Sequence, residues 1–180
     1  MIAKVKIEGT SPLLQHRFSG EGLPSAKLKK KDEKRITDDV KSFLYQTPNG
    51  EIYQPSTHII CTMKKAGARY QIPGQGKLTY KNMIGSGVII VIPDAIPHLN
   101  PEWEVDIRSV IINRARIMRH RPVFNEWALK FQLDIEEDEI DPTVVKEVLE
   151  YAGKRVGIGD FRPEKGGSFG RFHVTEWKIK

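Results

Sequence analysis

Between Gly153 and Arg171 the chain sets six glycines (Gly153, Gly157, Gly159, Gly166, Gly167, Gly170) among five cations (Lys154, Arg155, Arg162, Lys165, Arg171). The chemistry that mixture suits is the holding of a polyanion. Glycine lets backbone N–H groups come close to phosphate oxygens, and the cations neutralise the charge. A second concentration of cations is NRARIMRHR, with Arg114, Arg116, Arg119 and Arg121. In an extended chain Arg114 and Arg116 share a face, as do Arg119 and Arg121. The planar guanidinium can give a phosphate two bonds at once. Arg17, Lys65 and Arg69 add to the inventory, although Lys65 and Arg69 end a predicted helix, where cations also suit the helix dipole. Tyr70, Tyr80, Phe124, Phe161 and Phe169 are candidate stacking surfaces for bases.

Other chemistries find less to work with. Gly157-Ile158-Gly159 lacks a following Walker lysine–serine pair and follows a helix rather than a strand, which disfavours a P-loop or dinucleotide site. The histidines His16, His58, His98, His120 and His173 have no metal-ligand spacing. Glu136 to Glu139 are consecutive and do not converge. Cys61 is the only cysteine, so neither an intrachain disulfide nor a cysteine zinc site can form. No metal or other cofactor is expected. The weak catalytic candidates are His58, on a predicted helix, and Asp32, Asp38 and Asp39, which stand among lysines. Catalysis is therefore not the favoured reading.

The totals bound the partners. The chain has 180 residues and a formal charge of +6, with a pI near 9.4. That size supports one domain with its own core, and the charge favours an acidic partner, nucleic acid first. The longest apolar run, Val88 to Ile92, is strand-sized, so no membrane span is expected. A strand-like N-terminus without a signal block and a single cysteine fit a reduced cytoplasmic setting.

Elements that must position these residues follow from periodicity. Ile2 to Glu8 alternates as a strand, with Ala3, Val5 and Ile7 on one face. Gln15 to Asp39 is a lysine-rich insertion. Pro48-Asn49-Gly50 turns a hairpin. Ser56 is expected to cap a helix over Thr57 to Ala66, stopped by Gly67. Gln71 to Gly87 is a second insertion holding a short helix from Thr79 to Ile84. Val88 to Ile92 reads as a buried strand, and Glu104 to Ile112 as another. Pro122 is expected to interrupt the arginine segment. Trp127 to Ile135 alternates cleanly. Asp141 and Pro142 open a helix whose apolar stripe is Val144, Val145, Val148, Leu149 and Ala152, with Gly153 as a left-handed stop. A closing strand spans Phe169 to Lys178. Stripped of insertions, the order is βαββαβ. This predicts an α+β, ferredoxin-like (RRM-like) core whose open sheet face is where such folds commonly meet RNA.

Three stretches carry a family resemblance. IYQPSTH resembles the entry to the first helix of the CRISPR-associated RAMP superfamily, RARIMRHRPVFNEWALKFQLDI its central strand pair, and YAGKRVGIGDFRPEKGGSFGRFHV its C-terminal glycine-rich loop and last strand. The chain is most similar to the guide-RNA-binding backbone subunits. A phage or mobile-element relative is also consistent. The resemblance implies a single domain over 1–180, with 15–39 and 71–87 as insertions. It implies RNA contacts from Lys154, Arg155, Arg162 and Arg171, and polymerisation along the strand. Some backbone subunits cut target RNA with an aspartate after the first strand, a region that here holds Asp32, Asp38 and Asp39.

Three functions follow as expectations. The first is a scaffold that binds single-stranded RNA (or DNA) without reading its sequence, as a homo-oligomer or as a subunit of a ribonucleoprotein complex. Its contacts would come from Arg17, Lys65, Arg69, the four arginines of the second cluster, and the loop residues Lys154, Arg155, Gly157, Gly159, Arg162, Lys165 and Arg171. The second is a metal-independent endoribonuclease using His58 or His16. The third is a structural or interaction protein of a phage or mobile element.

Overall fold

The computed structural model describes residues 1–18, 39–112 and 115–180. Four strands form the central antiparallel sheet: β1 (Ile2–Gly9), β4 (Ile89–Ile92), β8 (Ala128–Ile135) and β9 (Phe172–Ile179). Their spatial order is β4-β8-β1-β9. Taken by chain position, the four lie side by side as second, third, first, fourth. Helix α1 (Ser56–Gly67) lies between the first two and α3 (Pro142–Tyr151) between the last two. That is the ferredoxin-like βαββαβ fold, as the periodicity predicts.

Alternation places the core. In register, Ala3 opposes Leu133, Val5 opposes Phe131 and Ile7 opposes Leu129, and all six are buried. They pack with Ile59, Met63 and Ala66 of α1, with Val145, Val148 and Leu149 of α3, and with Ala152 just after it, in one cluster. Each fully buried large aliphatic or aromatic side chain contributes about 1.5–3 kcal/mol. β4 departs from the expected buried run. Ile89 and Val91 face the core, whereas Ile90 and Ile92 are exposed, because the central sheet is covered on one face only and the strand alternates between its faces.

Between the core elements the chain builds three additions. The first contains β2 (Leu13–Leu14), the Pro48–Gly50 turn and β3 (Tyr53–Pro55). In that turn Gly50 N–H donates to Thr47 O at 2.9 Å, and Thr47 N–H to Glu51 O at 2.9 Å. Most of the expected 15–39 insertion lies outside the described residues. The second, after α1, holds the short helix α2 (Tyr80–Gly85). The third carries β5 (Ala95–Pro97), which pairs with β3, and the long hairpin β6 (Glu104–Ile112) and β7 (Ala115–Phe124). β7 also pairs with β2, giving a separate sheet of order β2-β7-β6.

That hairpin corrects two expectations. RARIMRHRPVFNEWALKFQLDI does not supply a central strand pair: its residues Ala115–Phe124 are β7, in the second sheet, and its residues Ala128–Ile135 are β8, in the first. Pro122 does not interrupt β7. It sits opposite Val105, and its carbonyl accepts from Gln15 N–H at 3.2 Å; the proline nitrogen, which has nothing to donate, is tolerated in the strand.

The helix ends correct two more. Asp141 does cap α3, its carboxylate accepting from Thr143 N–H at 2.7 Å. Gly153 does not stop that helix, however. The chain continues through a π-turn, Ala152–Val156, and Gly157 is the residue with positive φ (74°). Gly153 is required for a different reason: a Cβ there would lie 2.2 Å from Phe172 O. Ser56 is the first residue of α1 rather than its cap, Pro55 standing at the cap position. The Ser56 hydroxyl is used instead to donate to Asp94 Oδ1.

Candidate nucleic-acid interface

The glycine-rich loop runs from Gly157 to Arg171 across β2 and the C-terminal half of α1. Thr62 Oγ1 on α1 donates to Gly157 O at 2.8 Å. Asp160 N–H donates to Leu14 O at 2.9 Å, Gly170 N–H to Pro12 O at 2.7 Å and Ile158 N–H to Gly170 O at 2.9 Å. At Gly159 (φ 77°) a Cβ would meet Leu14 O at 2.4 Å. The glycines therefore let three segments cross at backbone distance. Gly157 N–H is also used, donating to Ala152 O at 2.8 Å. The expected cradle of free N–H groups is thus largely consumed by internal bonds. What the loop turns outward is side chains.

Foremost among these is a group of cations on one carboxylate. Lys65 Nζ from α1 donates to Glu164 Oε1 at 2.5 Å. Arg162 Nη2 is 2.8 Å from Glu164 Oε2, and Lys165 Nζ is 3.8 Å from Oε1. Arg162 is fixed independently, its Nη1 donating to Gly159 O at 2.9 Å. The Lys65 hydrogen bond is the main cause that holds the Glu164 carboxyl below its usual range, against a smaller opposing effect of burial; Arg162 adds to the lowering. Glu164 is therefore ionised at neutral pH. Phe161 lies on the same loop, 41% exposed and with φ of 49°, the one non-glycine residue with positive φ among those described. Side chains seldom adopt that conformation without cause. Here a close crossing at Gly167, whose Cβ would fall 1.7 Å from Phe161 O, accompanies it.

Arg121 is placed differently from its neighbours in sequence. It is 2% exposed, and its Nη1 donates to Asp160 Oδ2 at 2.7 Å. It ties β7 to the loop from within. Burial raises the Asp160 carboxyl, but the Arg121 hydrogen bond and charge, the Phe161 N–H and His16 outweigh it, and the net effect is a lowering. Arg119 shares that face of β7 and opposes Arg108. Arg108 stacks over Phe169 with its guanidinium 4.6 Å from the ring centre. Arg116 is exposed on β7. Arg114 lies outside the described residues. Arg17 is exposed, its N–H bonded to Phe43 O at 2.9 Å. Lys154 and Arg155 are exposed on the π-turn, and Arg171 is exposed at the loop's end. Arg69 follows the C-terminal end of α1, its guanidinium over the Tyr151 ring at 5.7 Å. Of the aromatic candidates, Tyr80, Phe124 and Phe169 are buried, which leaves Phe161 as the exposed one on the loop.

The open face of the central sheet is nearly charge-neutral. Lys4, Lys6, Lys130 and Lys178 alternate there with Glu8, Asp134 and Glu176. Lys6 pairs with Glu8 at 2.7 Å and Lys178 with Glu176 at 3.1 Å. The cationic surface lies on the loop side instead, contrary to the expectation from the fold class.

Of the four catalytic candidates, the structure describes Asp39 and His58. Asp32 and Asp38 lie outside the described residues. Asp39 is exposed and its carbonyl accepts from Ser42 Oγ at 2.6 Å. His58 is pushed down to about 4 by burial and then by the Arg162 charge. Its Nδ1 is hydrogen-bonded to Gln54 Nε2. A histidine neutral at pH 7 is a poor proton donor there. It belongs to a buried polar network that no motif in the sequence announces. Gln15 Nε2 donates to Tyr53 O at 3.0 Å and Gln54 Oε1 at 3.1 Å and lies 3.3 Å from His98 Nε2. Tyr45 N–H donates to Gln15 Oε1 at 3.0 Å. This network joins the first and third additions to the head of α1. His98 is likewise pushed down to about 4 by burial. Among the described residues no group of three or more His, Cys, Asp or Glu could hold a metal, and no helix is long and apolar enough to cross a membrane.

No protein-family model matches the chain, and no curated protein matches it significantly. A solved structure does: the Type III-B Cmr-beta assembly, determined by cryo-EM bound to cognate target RNA, contains a chain that superposes with a TM-score of 0.56 at 14% identity. The two chains share a fold. The match covers 98% of the present chain and 59% of the Cmr-beta chain, so the present chain spans about three fifths of its structural relative.

Proposed function

We propose that this protein is a non-catalytic, RAMP-like subunit that binds single-stranded RNA without reading its sequence and works in a ribonucleoprotein assembly with further copies of itself. The observation that carries the reading is the convergence of Lys65, Arg162 and Lys165, from α1 and the glycine-rich loop; the same loop carries the exposed ring of Phe161. Cations for phosphates and an aromatic face for a base are the two components of sequence-independent single-strand binding. Lys154, Arg155, Arg171, Arg17, Arg119 and Arg116 extend the contact surface on either side. The fold shared with a chain of an RNA-bound Cmr-beta assembly supports RNA over DNA and an assembly over a lone subunit.

The test is a sizing column run on protein purified without nuclease, with absorbance read at 260 and 280 nm. RNA binding by an oligomer gives a large, heterogeneous peak rich in 260 nm absorbance that collapses with RNase and survives DNase. A clean protein spectrum at monomer size would count against it.

A further inference from the structure

The geometry points to the Glu164 carboxylate as a stand-in for a nucleic-acid phosphate: a phosphodiester group takes the place of that carboxylate among Lys65, Arg162 and Lys165 when the strand binds. This rests on the reading that the chain binds single-stranded RNA. Three features carry it. The cations come from two separate elements, α1 and the loop, yet meet on one carboxylate within 2.5, 2.8 and 3.8 Å. The elements that carry them, and the Arg162 side chain, do not depend on Glu164 for their placement. Arg162 is pinned through its other nitrogen to Gly159 O, and the Thr62–Gly157 bond locks α1 to the loop. Glu164 itself lies in a short 3₁₀ turn, Pro163–Lys165, with its residue exposed, so its side chain can swing into solvent without disturbing them. A carboxylate and a phosphodiester both accept from a guanidinium fork and an ammonium at the same distances. The consequence is a built-in competitor: each bound strand must displace one anion, which weakens binding and keeps the cations ordered while the site is empty.

The experiment measures the affinity of a fluorescein-labelled oligouridylate for the wild-type protein, for Glu164→Gln and for Glu137→Gln across a salt series. Glu137 is an exposed carboxylate just ahead of α3, at the opposite end of that helix from the loop, and its variant makes the same change in net charge. Displacement predicts that Glu164→Gln binds about two- to fivefold more tightly than wild type, the size of an exposed ion pair. The salt slope should match that of wild type, since the same phosphate is neutralised in both proteins, and Glu137→Gln should bind as wild type does. Binding by Glu164→Gln alone, with wild type and Glu137→Gln both failing to bind, would support the inference too. Wild-type binding with Glu164→Gln equal to it, weaker, or matched by Glu137→Gln would overturn this inference and leave the proposed function standing. No binding by any of the three proteins would overturn both.

Discussion

Acid should drain stability from this fold well above the range where carboxylates titrate, because two histidines, His98 buried and His58 half-buried, are held neutral. Each falls from the ordinary 6.5 to about 4, His98 by burial and His58 by burial and the Arg162 charge. In the unfolded chain both regain ordinary values. Between pH 4 and 6.5 the unfolded state therefore binds more protons, so their contribution is complete above pH 6.5 and is lost as pH falls toward 4. A fall of that size is worth about 3 kcal/mol per histidine, and the pair about 6 kcal/mol. That compares with about 5–15 kcal/mol for a whole domain. The steepest loss, near pH 5, is about 2 to 2.5 kcal/mol per pH unit for the two together. Urea unfolding followed at intervals from pH 7.5 to 4.5 measures it, with constant m-values confirming that the midpoint shift is a stability change. His98→Gln should remove about half the slope, since glutamine keeps a hydrogen-bonding group near Gln15 but does not titrate. A stability that stays level between pH 6.5 and 4.5, or a His98→Gln slope equal to wild type, would refute the reasoning.

Other perturbations have equally definite outcomes. Gly159→Ala puts a Cβ 2.4 Å from Leu14 O at a φ of 77° and should cost at least about 2 kcal/mol in thermal or urea unfolding. Arg121→Met and Asp160→Asn should each destabilise by about 2 kcal/mol, and the double variant by clearly less than their sum, because each single change strands the other partner of a 2.7 Å ion pair. Phe161→Ala should weaken oligouridylate binding by about 1–3 kcal/mol while leaving the salt slope unchanged, since a lost stacking contact releases no counterion.

Features that depend on near neighbours are legible in the sequence. The alternation of Leu129, Phe131, Leu133 and Ile135 gives β8 directly, and Asp141-Pro142 gives the start of α3, because strand faces and helix caps are set within a few residues. With the two helices placed, the order of core elements leads to the ferredoxin-like topology. Features that depend on distant chain are not legible. Gly153 has the sequence appearance of a helix stop, yet Phe172 O dictates it. Ser56 looks like a cap until Asp94 takes its hydroxyl. Arg121 looks like its three arginine neighbours, and only the return of Asp160 over β2 draws it inside. The loop's cations are visible in the sequence, but their organising partner Glu164 is not, since nothing near Lys65 announces a carboxylate brought there by the fold. The glycines stand out as a cluster, but their role differs from the expected phosphate cradle. They allow close backbone crossings, and it is side chains that face the solvent.

Whether the cations where α1 meets the glycine-rich loop neutralise phosphates is tested most directly by salt dependence. The measurement is oligouridylate affinity against salt for wild type and for Lys65→Ala/Arg162→Ala. If these two side chains share one phosphate, the slope of log affinity against log salt should become shallower by about 0.7, and poly(U) and poly(A) segments should be affected alike. An unchanged slope, with binding intact, would contradict that role and move the interface elsewhere on the molecule.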